Sequence, residues 1–175
     1  MTATPLPEVW LRGPLPDVPA LFQPVAHELL QCREELRAAL AGLTPTQLVA
    51  RPGDVASVAY HVVHAIGSLD RLLTYARGES LSREQLAYLG DEPRAGESVH
   101  GSAALVALFG AAVDRALIQI RAIDPSTALD AREVGRAKLP STVIGLLFHA
   151  AEHTQRHVGQ LVTTAKIVRS LVSAS

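Results

Sequence analysis

The stretch Val143-Ile-Gly-Leu-Leu147-Phe-His149-Ala-Ala-Glu152-His153-Thr-Gln-Arg-His157-Val-Gly159-Gln160-Leu161 carries two patterns at once. Val143, Leu147, Ala150, Leu161, Ala165, Val168 and Val172 fall on one side of a 3.6-residue spiral, as in a helix that buries one face. Pro140-Ser141 precedes the run, and Ser141 suits an N-cap, so the spacing predicts a helix from there to about Val172. Over that stripe lie histidines at 149, 153 and 157. A step of four residues turns about 40° and rises about 6 Å, so neighbouring imidazoles stack on one face and two of them can converge on one metal ion. Three cannot, because His149 and His157 stand about 12 Å apart along the axis against metal–nitrogen bonds of about 2 Å. Counted at about 100° per residue from the stripe, His157 lies about 50° off its centre, His153 about 90° and His149 about 130°. Periodicity therefore favours His153 with His157 as a ligand pair and sends His149 outward, to the edge of any site.

Working outward, the same reasoning divides the rest of the chain into helices. Leu21, Phe22, Val25, Leu29, Leu36 and Leu40 predict a helix from about Val18 or Pro19 to Ala41, ended by Gly42. Thr44-Pro45-Thr46-Gln47 is a capping-box pattern that opens a short helix before the Pro52-Gly53 break. Val58, Val62, Ala65, Leu69 and Leu72 set the stripe of a second long helix, about Ser57 to Ala76. Ser82-Arg83-Glu84-Gln85 marks another short helix, expected to end at Leu89, with Gly90 to Gly101 as loop. A third long helix, about Ser102 to Ile123, is expected to bury Leu105, Leu108, Val113, Leu117 and Ile120. Asp124 to Leu139 is polar and reads as a long crossover connection. No period-2 run of strand length and no Gly-rich phosphate loop is found. The expectation is an all-α protein, a four-helix bundle with short accessory helices over residues 18–175. Prolines at 5, 7, 14 and 16 make residues 1–17 an extended arm.

Composition excludes several classes. At 175 residues, 48% hydrophobic and 19% charged, the chain has the makings of one well-filled core. Mean hydropathy of +0.20 is high, so either the core is unusually large or an apolar face is covered by another subunit, and a homodimer is expected. A net charge of −1 without a basic run argues against nucleic acid or an anionic membrane as partner. No stretch approaches the roughly 18–20 uninterrupted apolar residues of a span. Met1–Gly13 shows no secretory pattern, so a cytoplasmic location is expected. The one cysteine, Cys32, rules out a disulfide framework and a multi-cysteine zinc site, and reads as a buried structural thiol. His27 and His100 stand alone and are expected in solvent.

The second long helix holds His61 and His64, three apart, so both can edge one cavity. Counting from its stripe puts His61 nearer the interior and leans slightly to it over His64. His149-Ala-Ala-Glu152-His153 also spells the H-x-x-E-H of inverted zinc proteases. Here Glu152 falls almost opposite the apolar stripe, away from where such a general base must stand. Gln160, about a turn past His157, could hydrogen-bond a ligand. The paired Glu-x-x-His motifs of di-iron bundles are missing.

Ser57-Val58-Ala59-Tyr60-His61-Val62-Val63-His64-Ala65-Ile66-Gly67-Ser68, taken with the His153/His157 motif and its following Gly159-Gln160-Leu161, resembles the DinB/YfiT-like superfamily. Leu43-Thr44-Pro45-Thr46-Gln47-Leu48 after the first helix is a further phrase common there, and the likeness runs from about Phe22 to Thr164. The resemblance implies a four-helix bundle holding one divalent metal through three histidines, which match His64, His153 and His157. His61, His149 and Gln160 then become neighbours of the ligands. The sequence departs from the family pattern at Val55-Ala56, where a tryptophan is common, and at Val158, where arginine usually follows the last histidine; neither is a ligand position. All-imidazole ligation suits zinc or nickel. Relatives suggest transfer to or from a low-molecular-weight thiol such as bacillithiol or mycothiol, with a small-molecule substrate. Metal-dependent hydrolysis stands behind that reading, and a non-enzymatic, stress-associated metal-binding dimer is the reading from another class. No residue is singled out as catalytic.

Overall fold

The computed structural model describes residues 6–95 and 101–172. Among these residues the chain forms six α-helices: α1 Gln23–Leu40, α2 Pro45–Val49, α3 Val58–Ala76, α4 Arg83–Ala95, α5 Ser102–Ala122 and α6 Val143–Val172. The fold is all-α, as expected. Helix α6 packs against both α1 and α3, and α5 closes on the same two from the other side, so the four long helices form a ring. Leu29 and Leu36 of α1, Val62 and Leu69 of α3, Phe109 and Ile120 of α5, and Leu147 and Leu161 of α6 fill its middle and are essentially inaccessible to solvent.

Local chemistry explains the helix starts, and in places moves them. Thr44 and Gln47 form the capping box of α2, and Ser57 Oγ accepts from the Tyr60 amide at the start of α3. Helix α1 begins later than expected: residues Ala20–Phe22 form a tight 3-10 turn, and the Gln23 side chain bonds back to Leu15 and Val18. The preceding arm is not simply extended. Val9–Arg12 makes a further 3-10 turn with Val9 buried, and Arg12 pairs with Glu34 of α1 at 2.7 Å. His27, expected free in solvent, meets the Gly13 carbonyl at 3.1 Å. His100 lies outside the described residues.

The largest departure lies between α5 and α6. The expected polar connection contains an antiparallel hairpin, β1 Ala131–Val134 with β2 Leu139–Thr142, Ala131 standing opposite Thr142. Pro140 and Ser141 belong to β2, so Ser141 does not cap α6. Thr142 Oγ1 takes that role, accepting from the Gly145 amide. The Val143 and Ile144 amides donate to the carbonyls of Asp130 and Ala128, satisfying further N–H groups of the first turn. Strands this short are held by the backbone, and their residues are mostly exposed or half-buried, so no apolar alternation betrays them.

Two leucines expected inside are not: Leu21 and Leu108 are exposed. Helix α5 is long and apolar enough, by length and composition, to cross a membrane, although Asp114, Arg115 and Gln119 interrupt its apolar run. It is nonetheless built as a core helix. Leu105, Phe109, Val113 and Ile120 are buried, and Asp114 on its outer side pairs with Arg33 of α1 at 2.8 Å.

Helix α4 runs past the expected stop at Leu89, through Gly90 and Pro93, to Ala95. It lies on α3 and turns three polar groups toward it, while Arg83, Glu84, Asp91 and Arg94 stay exposed. Gln85 bonds Asp70 and Thr74, the Tyr88 hydroxyl donates to the Val63 carbonyl at 3.0 Å, and Glu92 is buried. Leu86 and Leu89 point to solvent.

Candidate metal centre

Where α3 and α6 pack, four imidazoles meet. His64 Nε2 lies 3.1 Å from His153 Nε2, and the His64 and His157 ring centroids are 4.4 Å apart. One ring nitrogen from each of His64, His153 and His157 lies within 4.8 Å of the others, and all three rings are half-buried. His61 stands beside them with its Nδ1 3.0 Å from His157 Nδ1, and it is buried. The slight lean toward His61 from periodicity thus describes its burial correctly. Its neighbour His64, one helical turn further on, is the residue that meets both histidines of α6.

The outer partners orient these rings. Glu92 Oε2 lies 2.7 Å from His64 Nδ1, and Glu92 Oε1 bonds the Arg71 guanidinium. A carboxylate only accepts, so His64 Nδ1 donates to Glu92 and Nε2 is the nitrogen that faces the cluster. Burial alone would raise the Glu92 pKa, but the hydrogen bonds from His64 and Arg71 outweigh it and hold the carboxyl below its usual value. Tyr60 stacks on the outer side of the His64 ring, 5.7 Å between centroids.

Burial and mutual repulsion disfavour protonation of three of these rings. Burial, followed by the neighbouring histidines, lowers His157 to about 4. The same causes, burial first and then His64, lower His153 and His61. Neutral imidazoles with free lone pairs are the form a metal requires, and the lowering of His153 and His157 favours that form.

The residues fit a divalent ion. The 3.1 Å between two Nε2 atoms is close to the nitrogen–nitrogen edge of about 3.3 Å in a tetrahedron with bonds of about 2 Å. Among the described residues, the one buried side-chain polar atom without a hydrogen-bond partner is His153 Nδ1. Polar pairing is thus complete everywhere in the described interior except at this cluster.

The other residues singled out from sequence fall outside the trio. His149 is half-exposed, pairs with Glu152 at 3.3 Å and comes no nearer to His153 than 5.4 Å between ring centroids. Gln160 is exposed and makes no hydrogen bond to the three histidines. Glu152 pairs with Arg156 on the outer surface, so the H-x-x-E-H string has no protease geometry. Cys32 is fully buried, donates to Gln155 Oε1 at 2.9 Å, and burial pushes its thiol far up, as befits a structural residue.

Sequence reasoning missed Glu92, Arg71 and Gly67. Gly67 is the reason α4 can come so close. A Cβ there would stand 2.6 Å from Tyr88 Cε1 and 2.7 Å from an Arg71 nitrogen, and would overlap Glu92 Oε1. The available signal was the four-residue step from Tyr88 to Glu92 after the Ser82 cap, which lines both on one face of a longer helix.

An all-α protein with three half-buried histidines converging from two helices defines a class of candidate metalloprotein. A profile of the DinB superfamily matches residues 28–161, most of the chain, and the protein belongs to that superfamily. No curated protein matches it.

Proposed function

We propose that this protein is a metal-dependent enzyme of the DinB superfamily that holds one divalent ion through His64, His153 and His157 and transfers a low-molecular-weight thiol to or from an electrophilic small molecule. The convergence of three imidazoles, one of them braced by a buried carboxylate, is the observation that carries the reading. An ion held by these three imidazoles would supply Lewis acidity, which would make a bound thiol or water molecule more acidic. Zinc or nickel suits all-imidazole ligation, and bacillithiol or mycothiol is the thiol in mind.

The protein's own groups hold and orient. His153 and His157 come from one helix a turn apart, and His64 comes across the interface, so the ligand geometry depends on how α3 packs on α6. Among the described residues Glu92 is the one carboxylate hydrogen-bonded to the trio, and both its oxygens are engaged. No free carboxylate base stands at the cluster, so the nucleophile must owe its deprotonation to the ion. That supports a thiol, acidic to begin with, ahead of water. Hydrolysis is the second reading, and a binding protein without turnover the third. The half-buried trio supports metal binding in all of them.

Metal-loaded protein incubated with bacillithiol or mycothiol and monochlorobimane tests the proposal. The expected result is conjugation well above background that disappears in His64→Ala. No rate above background, or a rate unchanged in that variant, contradicts thiol transfer. Metal that raises the thermal midpoint without turnover favours the binding protein. A homodimer is proposed as the working form, supported by the exposed Leu108, Ile118 and Phe148. Light scattering is expected to give twice 18.6 kDa, and the monomer mass contradicts it.

A further inference from the structure

Helix α4 is attached in an unusual way. Its leucines 86 and 89 face solvent, while Gln85, the Tyr88 hydroxyl and Glu92 face α3. Directional bonds rather than apolar burial carry much of the docking, and the innermost of them ends on His64. Glu92 is only 3% exposed and Arg71 9%, so a charged pair has been taken out of water here. Such a pair gains little stability over apolar residues of the same size, because desolvation offsets its attraction. Its position has a different consequence. One Glu92 oxygen faces Arg71 and the other faces His64 Nδ1, so the carboxylate sets the orientation and tautomer of that ring. Gly67 leaves the space in which this happens. The atoms nearest to a methyl there belong to the side chains of Glu92, Tyr88 and Arg71, and those groups would have to move to admit it.

We infer that Glu92 is the positioning residue for His64, and that ion binding at the trio and docking of α4 on α3 are one coupled equilibrium. The inference rests on the reading that His64 is a ligand. An ion on Nε2 polarises the Nδ1–H bond to Glu92 and strengthens it. By linkage, whatever strengthens the ion's hold on His64 tightens α4, and whatever loosens α4 weakens the ion's hold by the same factor.

Zinc affinity of the metal-free full chain, measured by competition with a chromophoric chelator, supplies the first readout for wild type, Glu92→Gln and Gly67→Ala. Gly110→Ala serves as control, since a methyl there meets nothing within 4 Å. Amide hydrogen exchange over residues 83–94, with and without zinc, supplies the second. The expected result is a loss of affinity of about 10–100-fold in Glu92→Gln and in Gly67→Ala. Slower α4 exchange in zinc is expected in wild type and not in Glu92→Gln, with Gly110→Ala matching wild type in both readouts. Because alanine favours a helix interior over glycine, Gly67→Ala keeps α3 formed and carries the test if Glu92→Gln folds poorly. Wild type that binds zinc with both variants within about twofold of it overturns the coupling and leaves the metal site standing, twofold being well below the usual cost of removing such a partner. Exchange in α4 that ignores zinc overturns it equally. A wild-type chain that takes up no zinc overturns it together with the site itself.

Discussion

Helices α6 and α4 both reach His64, and they are built on opposite patterns. Helix α6 buries Leu147, Leu161 and Val168 and carries His153 and His157 at the margin of that apolar stripe. Helix α4 turns Gln85, Tyr88 and Glu92 inward and leaves Leu86 and Leu89 in water. Apolar burial is non-directional and strong, so α6 is fixed as part of the core whatever the site contains. Hydrogen bonds exchange with water at small net gain, so α4 holds a precise orientation with little to spare. Two of the proposed ligands therefore sit on the apolar-packed helix, and Glu92, hydrogen-bonded to the third, sits on the helix expected to detach first.

The largest effect belongs to α6. His153→Ala removes a ligand and is expected to cost more zinc affinity than the roughly 100-fold that loss of an outlying partner costs, as measured by chelator competition. Retained affinity would break the distinction between ligand and brace. Next, Leu161→Ala in α6 is expected to destabilise by about 2–5 kcal/mol in denaturant unfolding, whereas Leu89→Ala on the outer face of α4 should stay within about 0.5 kcal/mol. Similar costs for the two would mean that α4 hides apolar surface after all.

Acid acts on the trio itself. His157 is held at about 4 by burial and by its neighbours, below the ordinary 6.5. Between those values the unfolded chain binds the extra proton, so the ion-free protein is fully stable above about pH 6.5 and loses stability as the pH falls toward 4. Thermal midpoints of the chelated protein across that range check the sign, and a midpoint that rises on acidification contradicts it. A smaller change is expected for Tyr88→Phe, which removes the bond to the Val63 carbonyl at a cost of about 1 kcal/mol and should speed amide exchange in α4 before any other helix. The smallest is Glu152→Gln. This exposed ion pair with Arg156 should leave zinc affinity within about twofold, since surface pairs contribute little.

What the sequence revealed follows the same division. The α6 stripe, the choice of His153 with His157 over His149, and the capping box at Thr44 were legible because burial leaves a period and caps leave a composition. The α3 histidine was only half legible. His61 is indeed the more buried of the two, and it was the resemblance that pointed to His64. Glu92 was hidden for a physical reason: α4 docks by its polar face, so its hydrophobic pattern points the wrong way, and Gly90 with Pro93 imitates a stop. The β1–β2 hairpin was hidden because backbone bonds with no buried side-chain pattern hold it.

The most direct test of the three-histidine centre is elemental analysis of the purified protein after loading with zinc and desalting, beside His64→Ala, His153→Ala and His157→Ala treated alike. One equivalent of metal per chain in the wild type, absent from each variant, is the expected result. Wild type without metal, or variants that keep it, would contradict the account.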